Sequence, residues 1–404
     1  MDTLDFGLLL AACRPGGAAT LSSVTELVAA EGPHGGIAPA RFVPARGSGA
    51  TFCYELRFID DQPANCVLVD GKASQLNRVE DEIVKAISDG IEPLSLTPRI
   101  VVEYADGRSA SDLQLPHRLY DAHIRAGHVN GTSVTENSTY RAARDATPLN
   151  VRPILELAPA ALVLGGWDST RRARQGRYRS ALTGEIIGEL ADQSAPDVNE
   201  IQPPRRGGAR SDSIAPSVRL TGAQLEELLV DQEAELSTKT VEGIRSDIDK
   251  AKNRRISASK LGLGSIPPSL DGLGLVSCRR IIRSHVLSFA ALRQMRFEAG
   301  PDGDAACRAL LAAFALAGLA RANAELNLRA NCNLREAGVP KTELDARYGQ
   351  VMTLAPIDIH TADALLGEAI EQARARAGIR WEGQVFAVTG NEIVVDNADA
   401  EAEE

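Results

Sequence analysis

Aromatic residues are scarce: Phe, Trp and Tyr make up 4% of the 404-residue chain, with only two Trp. A row of rings on which successive bases stack is therefore not available as a main binding device. Cysteine is thin as well, with six residues at 13, 53, 66, 278, 307 and 332. No two stand at CxxC spacing and no Cys–His set has zinc-ligand spacing, so reduced thiols and no metal are expected. Leu10-Ala11-Ala12-Cys13 matches a lipoprotein cleavage box by letter only. The residues before it include Asp2 and Asp5, carry no cationic side chain and are too few for an apolar signal core. No run of eighteen apolar residues occurs, so neither a membrane span nor a membrane partner is expected, and the chain reads as cytoplasmic. G-x-S-x-G and H-E-x-x-H motifs are missing, which removes support for common hydrolase chemistries. Neither G-x-x-x-x-G-K-[ST] nor G-x-G-x-x-G occurs in a strand-to-helix context, and no cofactor is expected.

Positive charge is also in deficit. Forty-four Lys and Arg stand against 54 Asp and Glu, a net charge of −10. A wholly basic nucleic-acid coat is excluded, but a local basic groove is not, because steering follows the local field. An apolar content of 44% is enough for a large core.

Against that acidic background, residues 162–188 stand apart. An apolar run over 160–164 breaks at Gly165-Gly166. Trp167-Asp168-Ser169 follow, then Arg171, Arg172, Arg174, Arg177 and Arg179 with no acid among them, then a second apolar stretch over 181–187. The pattern predicts a strand, a basic excursion and a returning strand. Charge runs are commonly solvated surface, but acids are then normally interspersed. Guanidinium forks bind phosphate bidentately without reading sequence, which suits a polyanion. Trp167 either packs in the core or stacks on a splayed base.

The rest of the chain reads as α+β. Residues 51–59 and 66–70 are strand-like, 77–87 helical and 99–104 strand-like, an order suited to a split βαβ core. Residues 105–150 are polar and irregular, and 154–164 read as a buried strand. Residues 191–218 are rich in Pro, Asp, Gly and Arg and read as a loop or insertion. A polar helical stretch covers 220–251, with Leu225, Leu228, Leu229 and Ile244 on its apolar side. Residues 262–274 read as a flexible loop without regular structure, because they hold two Gly-x-Gly pairs and Pro267-Pro268. Residues 275–282 are strand-like, 288–297 helical, 305–326 the strongest helix, 362–377 another helix and 381–388 a closing strand. Residues 396–404 hold five acids and are expected to be disordered.

Two smaller constellations carry chemistry. His117, His123 and His128 do not share one helix face, so His117-Arg118 beside Asp121 reads as ordering a loop or touching a phosphate. Asp168 is the best catalytic candidate, since an acid beside a phosphate can hold a metal. No second acid stands nearby, which favours a turn-forming or arginine-orienting role.

The segment LGGWDSTRRARQGRYRSALTGEIIG resembles the signature of a CRISPR-associated RAMP family, the repeated backbone subunits of type I surveillance complexes in subtype I-G (formerly I-U). Three further segments resemble it in the same order: Gln75-Leu76-Asn77-Arg78-Val79-Glu80; Leu115-Pro116-His117-Arg118 with Asp121-Ala122; and Gly262-Leu263-Gly264-Ser265-Ile266-Pro267-Pro268. The resemblance covers roughly residues 60–300. It implies an α+β fold with an RRM-like (ferredoxin-like) core, large insertions and a protruding β-hairpin, shaped as a hand. One palm would span 1–390, with insertions at about 105–150 and 190–262, a basic hairpin at about 160–190 and an acidic tail at 391–404. The implied RNA contacts are Trp167, Ser169, the five arginines, Asn77, Arg78, His117, Arg118, Gly262 and Gly264. The implied partners are CRISPR guide RNA, the target DNA strand, further copies in a filament, a fused end-capping and RNA-processing subunit, a large subunit and a recruited helicase-nuclease. The resemblance implies no enzyme activity. The rival is a metal-dependent RAMP ribonuclease using Asp168, and a distant third is an enzyme taking an anionic small substrate.

Overall fold

The computed structural model describes residues 1–43, 51–172, 176–208, 217–251, 254–264 and 269–396. Residues 265–268 of the glycine-proline segment and 397–404 of the expected acidic tail at 391–404 lie outside them; the start of that tail is described and forms a short helix, Glu392–Asp396.

The main unit comprises Met1–Ile201 and Val276–Asn397. The strands of its main sheet are β1 (Thr20–Ala29), β2 (Tyr54–Ile59), β3 (Gln62–Asp70), β4 (Leu182–Leu190), β5 (Cys278–Ser288), β6 (Lys341–Asp345) and β7 (Val351–Leu354). They form one sheet in the order β7-β6-β1-β5-β4-β3-β2, with Leu334–Glu336 also pairing β1. The long helices that accompany them are α1 (Lys72–Ser88), α2 (Gly300–Glu325) and α3 (Ile359–Ala377). Within this order β1, α1, β4, β5, α2 and β6 have β-α-β-β-α-β connectivity, and neighbouring strands run antiparallel. The mixture of helices and sheets is the expected α+β class.

The elements that make the unit are not the ones the sequence pattern paired. Residues 62–70, α1 and 99–103 are consecutive, but β3 joins the main sheet. Arg99–Glu103 joins a separate five-stranded sheet, in parallel register with Val385–Thr389. Both segments have strand periodicity, and periodicity carries no information about which sheet a strand enters.

From Ile281 onward β5 alternates buried and half-buried residues, the period of a strand with one face packed. Helix α2 is long and apolar enough to cross a membrane, but 94% of its most apolar window is buried in the protein. It is apolar all round because it is enclosed all round. Its alanines and Gly318 permit close approach: a Cβ on Gly318 would lie 2.7 Å from Ile83 Cδ1 of α1. Arg321 of α2 grips Asp363 of α3 through both carboxylate oxygens, at 2.7 and 2.8 Å. Trp381 is fully buried, edge-on to Phe314 at 5.6 Å, and its indole N–H donates to the Leu155 carbonyl. The short closing strand follows it as Val385–Thr389.

A second unit, described by itself, runs from Gln202 to Leu275, inside and beyond the insertion expected at 190–262. The polar helical stretch is two helices, Gly222–Gln232 and Thr238–Ala251, closed on Leu225, Leu229, Val241 and Ile244. Thr221 and Gln224 form a reciprocal capping box at the first. The glycine-proline segment is more regular than expected: Ser269–Leu273 is a strand paired with Arg205–Gly208. Pairing across about sixty residues is invisible to local turn signals.

Candidate functional site

The arginine excursion leaves a rigid base. Residues 160–164 are not the expected entering strand: Ala160–Val163 is a short buried helix, and Arg152–Leu155 another. A five-residue apolar run has no period that separates strand from helix. The chain then forms a short ladder, pairing Gly166 with Tyr178 and Trp167 with Arg177. The Asp168 amide donates to the Gly176 carbonyl at 2.9 Å. The expected returning strand is present as β4.

Glycine is required here by space. Gly165 has φ +101°, a left-handed value, and a Cβ on Gly166 would press on the Tyr120 ring at 3.0 Å. A Cβ on Gly176 would collide with the Tyr120 hydroxyl. Tyr178 is buried between the arginines, and its hydroxyl donates to the Ala146 carbonyl at 2.9 Å. Burial pushes its phenol up to about 12.

Asp168 is 1% exposed, accepts from Arg144 Nε at 2.8 Å and lies within 3.4 Å of the Thr170 hydroxyl. Burial opposes the charge on Arg144, but the Asp168 hydrogen bond and charge outweigh it and hold the guanidinium above its ordinary range. Asp168 thus orients an arginine, though one outside the block.

The five arginines are not equivalent. Arg171 is half-buried and paired with Asp145 at 2.5 Å. Arg172, Arg177 and Arg179 are exposed and have no acid partner among the described residues. Arg174 lies outside the described residues. Arg177 sits over the Trp167 ring at 5.1 Å, and Trp167 is 50% exposed. Trp167 is therefore a surface platform backed by a cation and not a core residue. Ser169 is exposed on the same turn. Beside the ladder lies a cleft of about 480 Å³ lined by Asp145, Thr147, Pro148, Arg177 and Tyr178, among others.

The other expected contacts serve different ends. Arg118 holds Glu80 of α1 with two hydrogen bonds and donates to the Gly165 carbonyl at 2.9 Å. It locks the root of the excursion, at a left-handed φ of 47°. Arg78 is bidentate on buried Asp70, at 3.0 and 3.1 Å, which Arg329 and Gln75 also contact. Burial would raise the Asp70 carboxyl, but these partners overcome it and hold it below the usual range. Asn77 and His117 are exposed, and the backbone amides of His117 and His123 both donate to Asp121, which orders that loop. Gly262 (φ +75°) and Gly264 belong to the second unit, where Gly262 ends a short 3-10 turn. A Cβ on Gly264 would lie 2.6 Å from Ser259 Cβ, so that glycine serves local packing. Among the described residues no group of His, Cys, Asp and Glu could hold a metal.

Residues 21–193 match the family model of CRISPR-associated protein GSU0053. That match, over less than half of the chain, is a similarity to a CRISPR-associated family. It takes in the segments around Asn77 and Arg118 and the whole arginine excursion, while the glycine segment at 262–268 lies beyond it. It also begins near the start of β1, well before the limit of about residue 60 that local motifs suggested. β1 lies inside the sheet with partners on both sides, yet it carries no distinctive side chains. No curated protein matches the chain.

Proposed function

We propose that this chain is a repeated backbone subunit of a type I-G CRISPR surveillance complex, binding guide RNA along its length and presenting it to target DNA. One observation carries the reading: exposed, acid-free Arg172, Arg177 and Arg179 project with half-exposed Trp167 from a buried, hydrogen-bonded root. Such a group binds the backbone of any sequence, and a subunit that must accept every guide needs that property. Specificity then resides in base pairing, with the protein supplying shape and charge. The RRM-like reading of the palm draws support from the β-α-β-β-α-β connectivity of the main sheet. Head-to-tail copies along one RNA make an open filament, working in the cytoplasm with a fused capping and processing subunit, a large subunit and a recruited helicase-nuclease. The Asp168 ribonuclease is disfavoured, because a carboxylate 1% exposed and held by Arg144 offers nothing to a metal at the surface.

Light scattering on purified chain with single-stranded RNAs of increasing length tests this. Mass per particle should rise in steps with RNA length, and RNA-free protein should stay small. One fixed stoichiometry at every length, or a closed oligomer without RNA, refutes the filament.

A further inference from the structure

A larger cavity, of about 690 Å³, shares no lining residue with the cleft beside Arg177. It lies between the C-terminal end of α2, the start of α3 and the strands β1, β5 and β6. Its walls are apolar, from Leu21, Leu182, Leu287, Leu316, Leu319 and Ile357. Two polar side chains line it from β5, Arg283 and His285, which are 2% and 4% exposed.

Arg283 is incompletely satisfied. Its Nη2 donates to Glu336 at 2.5 Å and to the Thr25 hydroxyl at 3.3 Å, and its Nη1 reaches the Asn323 carbonyl at 3.4 Å. Its Nε–H is buried with no acceptor among the described residues. A buried donor without a partner is uncommon in a native protein and asks for an acceptor. His285 meets Gln75 Oε1 at 3.1 Å, and burial, reinforced by the Arg283 charge, pushes its ring down to about 3, so it is neutral at physiological pH. Glu336 already balances the guanidinium charge. The other charged lining groups have both signs, with Glu325 and Asp358 against Arg335.

These features restrict the occupant. An anion finds no net positive charge, because Glu336 has claimed it. A cation cannot be the acceptor that the buried Arg283 Nε–H lacks. A pure hydrocarbon would leave the Nε–H unpaired in an apolar surround. The volume and the ratio of apolar walls to convergent polar groups are those of small-molecule sites. We propose that this cavity binds an uncharged, largely apolar small molecule through a carbonyl oxygen that accepts the Arg283 Nε–H. The inference does not rest on the RNA reading.

The test uses full-length protein and Prodan, an uncharged naphthyl ketone whose emission brightens and shifts to the blue in apolar surroundings. Binding should saturate at one Prodan per chain. Ala324 is exposed and lines the cavity, so Ala324→Trp should plug it, weaken binding about tenfold or more and leave the thermal melt unchanged. Arg283→Met, which keeps bulk and removes the donor, should weaken binding about tenfold. Should that variant not fold, Ala324→Trp decides alone. The anionic 1-anilinonaphthalene-8-sulfonate should bind this site more weakly than Prodan. No saturable binding would mean that the cavity holds only water and would overturn the proposal. Binding indifferent to Ala324→Trp, or a preference for the sulfonate, would overturn it as well. Expulsion of Prodan in proportion to RNA-driven assembly would reassign the cavity to a neighbouring chain.

Discussion

Replacing Arg172, Arg177 and Arg179 together by Ala tests the arginine excursion most directly. These three are exposed and free of acid partners among the described residues, so each can neutralise a phosphate at full charge. A single strand loses about 0.7 in the slope of log K against log salt for each phosphate neutralised. Three contacts therefore contribute a slope of about −2, and the triple variant should flatten the parent line by that amount. Between 50 and 200 mM salt this is worth roughly 20-fold in the ratio of affinities. Arg171→Ala is the internal control. Its guanidinium is already paired with Asp145 at 2.5 Å, so its loss should change the slope by well under one unit. Fluorescence anisotropy with labelled single-stranded RNAs of unrelated sequence, at five salt concentrations, gives all the slopes. The triple variant should weaken every sequence alike. An unchanged slope refutes the reasoning, as does a triple variant no flatter than Arg171→Ala.

Two further outcomes follow from buried charges. Asp168→Asn leaves the Arg144 guanidinium, 15% exposed, without its counter-charge, and should cost about 2–4 kcal/mol, read as a lowered urea midpoint by circular dichroism. RNA incubated with parent protein and Mg²⁺ or Mn²⁺ should stay intact; metal-dependent cuts lost in a stable Asp168→Asn would restore the ribonuclease reading. Asp112 is 1% exposed; burial pushes its carboxyl up to about 7, Glu80 adds to this, and the Ile100 N–H opposes it. A carboxyl raised in the folded state favours the neutral form there, so its contribution is full below the unfolded value near 4 and is lost as pH rises toward 7. Asp112→Asn should match the parent near pH 4 and melt progressively higher than it up to about pH 7. A constant difference in melting temperature across pH 4–8 would exclude Asp112 as the source.

The long buried helix, α3 and β4 were legible in the sequence, because each has enough residues to display its period, whereas β5 was read only over 275–282, about half of its length. Residues 160–164 were misread for the opposite reason: five apolar residues fit strand and helix equally, and the enclosing packing makes them a helix. Charge alone marked the arginine excursion. Its division of labour was hidden, since Asp145, Tyr120 and Glu80, which tie down Arg171, fill the space beside Gly176 and hold Arg118, come from distant stretches of chain. Arg78 and Arg118 looked like free cations for the same reason, because their carboxylates are recognisable as partners only once α1 and the loops around it are folded. The sequence by itself determined composition, the isolated block of guanidinium groups and the longer elements, since these depend on residues within one or two turns of each other. Only tertiary structure decided which strands share a sheet, which arginines remain exposed, and that Arg283 is buried facing a cavity with one donor unmet. Those outcomes depend on packing between segments up to hundreds of residues apart, for which no local pattern is a record.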